Sequence, residues 1–127
     1  MSVPSDLRYT NDHEWVRIED DEATVGITAY AADQLGDIVF VELPEIGRTL
    51  AQATAFGVVE SVKAVSDLFA PVGGEVIATN DDLTGSPELV NSDPYGGGWM
   101  VRVRVADPGQ TAELLDADAY DALIAAG

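Results

Sequence analysis

The stretch Gly57-Val58-Val59-Glu60-Ser61-Val62-Lys63-Ala64-Val65-Ser66-Asp67-Leu68 decides the fold. Two apolar, β-branched runs flank a break centred on Lys63, the pattern of two strands meeting at a hairpin tip. Phe56 to Glu60 reads as a strand before the break, and Leu68 to Ala70 and Glu75 to Ala78 read as strands after it. Pro71 and Gly73-Gly74 mark the bend between the later two.

Working outward toward the N-terminus, Asp37 to Leu43 forms a further strand, with Ile38, Phe40 and Glu42 alternating against Val39, Val41 and Leu43, and Pro44 closes it. Thr28 is placed to cap a short helix through Ala29, Ala31, Ala32 and Leu35, which Gly36 ends. Before it, His13 to Ile18 and Ala23 to Thr28 make a hairpin across the acidic turn Glu19-Asp20-Asp21-Glu22. Toward the C-terminus, Asn80 to Gly98 reads as a long polar loop. Trp99 to Val105 is an alternating strand with Trp99, Val101, Val103 and Val105 on one face and Met100, Arg102 and Arg104 on the other. Asp107-Pro108 opens a helix, and Leu114, Leu115, Tyr120, Leu123 and Ile124 carry the spacing of a tail packed on a sheet.

Short strands, one early helix and helices at the end predict a mainly β sandwich or flattened barrel. With 127 residues, 46% of them hydrophobic, the chain suits one domain over 1–127, its core at about 8–106 and its helical tail at 107–127.

The composition narrows function by exclusion. A formal net charge of −17 with six Lys and Arg argues against binding to nucleic acid or to anionic membranes and predicts partners with basic surfaces; solubility or adaptation to a salty cytoplasm is the plainer account of the same number. No signal peptide, transit peptide or membrane-length apolar run is evident, so a bacterial cytoplasmic protein is expected, with a processed mitochondrial form less favoured. The chain has no cysteine. Any redox sulfur must then come from a cofactor. One histidine and no thiol assemble no nucleophile, base and orienting group, so no enzyme activity is expected.

Five of the six basic residues are arginines, and Lys63 is the only lysine. A primary amine that survives alone suggests a task that a guanidinium cannot perform, although a lysine-poor genome would leave the same trace. A hairpin tip suits a lysine that an enzyme must acylate, because the enzyme has to reach it and the product has to project into solvent.

The block Glu60-Ser61-Val62-Lys63-Ala64-Val65-Ser66-Asp67-Leu68, followed by Ala70-Pro71-Val72-Gly73-Gly74-Glu75-Val76, resembles the lipoylation region of glycine cleavage system H proteins. So do His13-Glu14-Trp15-Val16, Val25-Gly26-Ile27-Thr28, the run Leu35 to Pro44, Pro87-Glu88-Leu89-Val90-Asn91 and Asp93 to Met100. A biotin carrier usually sets Met on both sides of its lysine; Val62 and Ala64 stand there in this chain.

The resemblance implies a barrel-sandwich hybrid of the lipoyl and biotinyl carrier kind, and a monomeric, non-catalytic shuttle. Lipoic acid would be joined to Lys63 by a lipoate-attaching enzyme. The arm would collect an aminomethyl group from glycine decarboxylase (the P protein) and pass its carbon to tetrahydrofolate on the aminomethyltransferase (the T protein). Dihydrolipoamide dehydrogenase (the L protein) would reoxidise it. The resemblance also implies a cleft in which Glu14, Asp67 and Asp12 shelter the protonated amine of the loaded arm. Where some members carry His in the early helix, this chain has Gln34.

Plainer readings stand beside these. Glu14 and Asp67 are two of 23 acids, and an exposed acid needs no function. For His13 a structural hydrogen bond is expected, for Trp99 and Tyr95 packing, and for Gly96-Gly97-Gly98 a turn. Two other functions remain open: a lipoyl relay that hands its group to other enzymes, and a β-rich binding module that is never modified.

Overall fold

The computed structural model describes residues 3–126. In chain order its first half runs β1 (Arg8–Tyr9), β2 (Glu14–Glu19), β3 (Glu22–Ile27), α1 (Ala29–Leu35), β4 (Ile38–Glu42), β5 (Thr49–Leu50) and β6 (Ala55–Ser61). There follow β7 (Val65–Phe69), β8 (Gly74–Thr79), α2 (Asp82–Gly85), α3 (Leu89–Ser92), β9 (Val101–Val105), α4 (Gly109–Ala112) and α5 (Ala117–Ala126). The strands form a six-stranded sheet in the order β1-β2-β3-β9-β8-β5 and a three-stranded sheet in the order β4-β6-β7. The mainly β architecture with a short early helix and C-terminal helices is the one the sequence predicts. None of the described helices is long and apolar enough to cross a membrane.

The inward residues of both sheets make one apolar cluster that includes Val16, Val25, Ile38, Val41, Val59, Leu68, Val76 and Val103. A second, smaller cluster of Leu7, Tyr9, Trp15, Ala117 and Tyr120 lies beneath the C-terminal segment. Both hairpins expected from the alternation are present. In β2–β3, Glu19 pairs with Glu22 and Asp20 takes a positive φ of 57° to close the acidic turn. Charge relief comes from β9, whose Arg102 and Arg104 lie 3.9 Å from Glu22 and 4.0 Å from Asp21. Within the same hairpin Trp15 pairs with Gly26. A Cβ on Gly26 would meet the indole at 2.7 Å, so the bare backbone is what lets the ring lie flat and fully buried.

Four local readings change. In β4 the alternation breaks at a bulge between Ile38 and Phe40, so Ile38 and Val41 face the core while Val39 and Phe40 stay about half exposed. The polar loop from Asn80 to Gly98 contains two one-turn helices, α2 and α3. Buried Asn80 organises it, donating to the carbonyls of Gly97 and Trp99 and accepting the amide of Asp82. The last strand starts at Val101 rather than Trp99. Met100 is fully buried, and half-buried Trp99 packs against the smaller cluster with the Arg102 guanidinium 5.2 Å from its ring. Finally, Leu114 and Leu115 are not helical: Leu115 exchanges two 2.8 Å backbone hydrogen bonds with Tyr9, which satisfies its polar groups in the sheet and postpones the helix to Ala117.

Candidate functional site

The β6–β7 hairpin carries Lys63 at its tip, as the alternation predicts. Ser61 shapes the bend: its Oγ accepts the amides of Lys63 (3.3 Å) and Ala64 (3.0 Å), and its own amide donates to the Ala64 carbonyl at 2.8 Å. A serine side chain here does the work of a backbone turn bond. The Val62 amide donates to the Asp37 carbonyl at 3.1 Å and fastens the tip to the start of β4. Lys63 itself is exposed, and no ion pair engages its ammonium among the described residues.

The lysine stem lies against the end of α1. A Cβ on Gly36 would sit 3.6 Å from Lys63 Cε, and Gly36 has a φ of 84°, a conformation that glycine adopts without strain. Thr28 caps the other end of α1 by accepting the Ala31 amide at 3.2 Å. Asn91 of α3 then locks the exit: its Nδ2 donates to the Gly36 carbonyl and its Oδ1 accepts the Ile38 amide, both at 2.9 Å. One side chain thus holds the backbone on both sides of Asp37, next to the lysine.

Glu14 is the one buried acid among the described residues, 2% exposed. Thr10 Oγ1 donates to its Oε1 at 2.7 Å, and the Phe69 amide donates to its Oε2 at 3.3 Å. Burial pushes its carboxyl up to about 7, while those two hydrogen bonds favour the charged form and restrain the rise; neighbouring Asp12 adds a smaller upward push. The carboxylate borders a cavity of ≈ 220 Å³ whose lining also includes Thr10, Asp12, Gln52, Phe69 and Glu113. Of the three predicted cleft acids, Glu14 and Asp12 meet at this cavity. Asp67 lies outside its lining, exposed on β7 two residues before Phe69.

His13, between Asp12 and Glu14, has a positive φ of 68°. Its Nδ1 is 2.8 Å from the Tyr120 hydroxyl, which is itself 2.8 Å from Thr28 Oγ1. Burial lowers the imidazole's pKa, against a smaller opposing effect of Asp12, and burial raises that of Tyr120 to about 12, so a neutral imidazole and a neutral phenol share the hydrogen bond. That is the structural bond expected for the lone histidine. Trp15 Nε1 donates to the Pro94 carbonyl at 2.8 Å and packs against Tyr95.

Thr10, Phe69, Asn91 and Tyr120 all serve the site yet carry no local signal in the sequence. Glu14 and Phe69 are 55 residues apart, and no spacing rule joins a side chain to a distant backbone amide. For Asn91 the only hint is its place in the Pro87–Asn91 block.

The family model described as "Glycine cleavage H-protein" matches residues 7–126. The chain belongs to this family. It is 62% identical over 122 residues to the glycine cleavage system H protein of Magnetococcus marinus, which spans 96% of this chain and 87% of that one. A probable glycine cleavage system H protein of Haloarcula marismortui is 59% identical over 120 residues, 94% of each chain. Among solved structures, that of a glycine cleavage system H protein from Mycobacterium marinum superposes with a TM-score of 0.90 at 40% identity, covering 97% of this chain and 99% of the other. In this H-protein frame the exposed lysine and the buried glutamate lie on neighbouring elements, Lys63 at one end of β7 and the amide that Glu14 binds at the other.

Proposed function

We propose that this H-protein family member is a non-catalytic carrier, that its single carrier domain spans 1–127, and that Lys63 Nζ holds lipoic acid in amide linkage. The observation that carries the reading is the position of the only lysine: exposed, free of ion pairs among the described residues, and presented on a hydrogen-bonded bend. The residues present fit such a group, since an accessible primary amine is the one donor an amide-linked arm requires. When bound, the lipoyl group supplies the dithiol chemistry that accepts an aminomethyl group from glycine decarboxylase, gives up its carbon at the aminomethyltransferase and returns electrons to dihydrolipoamide dehydrogenase.

The protein's own residues position and shelter. Ser61 and the Val62–Asp37 bond hold the tip so that Lys63 projects outward. Glu14 offers a carboxylate that is half charged near neutral pH and that a cationic amine brought into its cavity would ionise fully. Asp12 adds negative charge at the cavity mouth, and Asp67 lies on the β7 path between the tip and Phe69. Modest contacts guided by the acidic surface suit a carrier that visits several partners in turn.

The intact mass of protein from its native host, with peptide mapping across residues 58–68, tests this directly. A lipoyl adduct confined to Lys63 is expected. An unmodified Lys63 in cells whose other lipoyl proteins are fully modified would refute the carrier reading.

A further inference from the structure

The outer face of the β4-β6-β7 sheet is not an ordinary solvated surface. Cross-strand register puts Phe40, Glu60 and Val65 in one row and Glu42, Val58 and Asp67 in the next. Directly paired residues project from the same face, so apolar and acidic side chains alternate in both directions like a checkerboard. Phe40 is 49% exposed and Val65 67%, and Val39 and Val62 lie exposed beside them at the bulge and the tip. No arginine or lysine belongs to either row. A surface selected only for solubility would fill the outward positions of three strands with polar residues. Here half of them are apolar, and the patch adjoins Lys63.

We propose that this checkerboard is the docking surface for the enzyme that acylates Lys63, and that its complement is a face of Lys and Arg side chains interleaved with apolar ones. The aliphatic stems of such residues would cover Phe40, Val58 and Val65 while their heads pair with Glu42, Glu60 and Asp67. The occupant follows from reach. An enzyme that builds a bond on Nζ must bring its own active site to within one lysine side chain of the hairpin backbone, so the strands flanking the tip have to lie against it. Enzymes that work on the far end of an arm carry no such requirement. The inference rests on the proposal that Lys63 is acylated.

The test uses the full chain in its unmodified form with the lipoate–protein ligase of the source organism, lipoate and ATP. Phe40→Ser and Val65→Ser together should raise KM for the chain about tenfold or more with kcat within about twofold. Ile46→Ser, which alters an exposed apolar residue in the loop after β4, should change neither. Glu42→Gln should raise KM and weaken its dependence on salt. Direct binding of ligase to the Lys63→Arg chain, with and without the patch substitutions, reads docking apart from chemistry and should show the same tenfold loss. Patch variants that bind and react like the parent would overturn the docking surface while leaving the carrier reading in place. A parent chain that binds the ligase but gains no lipoyl mass would instead refute acylation. Sedimentation of the free chain should show a monomer; a dimer that Phe40→Ser disperses would mean that a second copy covers the patch, and would overturn the proposal.

Discussion

The Glu14 carboxylate accepts the Phe69 backbone amide at 3.3 Å, and this bond joins β2 of the six-stranded sheet to β7, an edge strand of the three-stranded one. An edge strand offers unpaired amides. Here a buried acid uses one of them, and its price is a carboxyl that ionises only near neutrality.

That cost makes stability depend on pH. The folded protein holds the Glu14 proton up to about pH 7, whereas the unfolded chain releases it near 4.5. The contribution is therefore complete below pH 4.5 and is lost as the pH rises toward 7, an effect of roughly 3 kcal/mol at most. Glu14→Gln keeps an acceptor for Phe69 and removes the titration. Urea unfolding midpoints measured from pH 4 to pH 8 should fall less steeply in the variant; parallel curves would show that Glu14 titrates alike in the folded and unfolded states.

Asn91→Ala removes both bonds that hold the backbone around Asp37, leaving the Gly36 carbonyl and the Ile38 amide without their partner. A loss of about 2–3 kcal/mol is expected from two partly buried groups. Amide exchange should quicken at Ile38 and Val62, because the tip hangs from the Asp37 carbonyl. A variant as stable as the parent, with unchanged exchange at Val62, would count against Asn91 as the organiser of the lysine's surroundings.

Tyr120→Phe breaks the link from His13 to Thr28 while keeping the ring stacked on Tyr9 at 4.7 Å. About 1–2 kcal/mol should be lost, because buried Thr28 and half-buried His13 each forfeit a partner. The His13 imidazole, titrated by NMR, should also respond. Chemical shifts and a titration curve identical to the parent's would rule the link out.

Gly26→Ala places a methyl group where the Trp15 ring lies. Because that ring is fully buried, it has nowhere to move without disturbing Tyr95 and the bond to Pro94. Destabilisation of about 2–4 kcal/mol and a changed tryptophan emission are expected. A melting temperature within a degree or two of the parent's would show that the hairpin gives way easily.

Where local chemistry sets the backbone, the sequence is readable. The β2–β3 and β6–β7 hairpins, the Thr28 and Gly36 ends of α1 and the placing of Lys63 at a tip all follow from period-2 alternation and capping rules. The bulge at Val39 escapes such rules, since one extra residue shifts the register without leaving a gap in the apolar pattern. The one-turn helices α2 and α3 are too short to have a periodicity; buried Asn80 and the Asn91 clasp belong to the tertiary structure that holds them. At the site, Glu14 and Asp12 come together because they are neighbours in one turn. Asp67, on a strand of the other sheet, lies outside their cavity.

A chain with one lysine, and that one exposed at the tip of a hairpin, offers the protein chemist a single reactive side-chain amine. An amine-directed fluorophore or spin label would find no side-chain amine in the chain other than that of Lys63. The hairpin is thus a ready-made mount for a reporter, placed where the natural acyl group is proposed to sit and reached without engineering a cysteine.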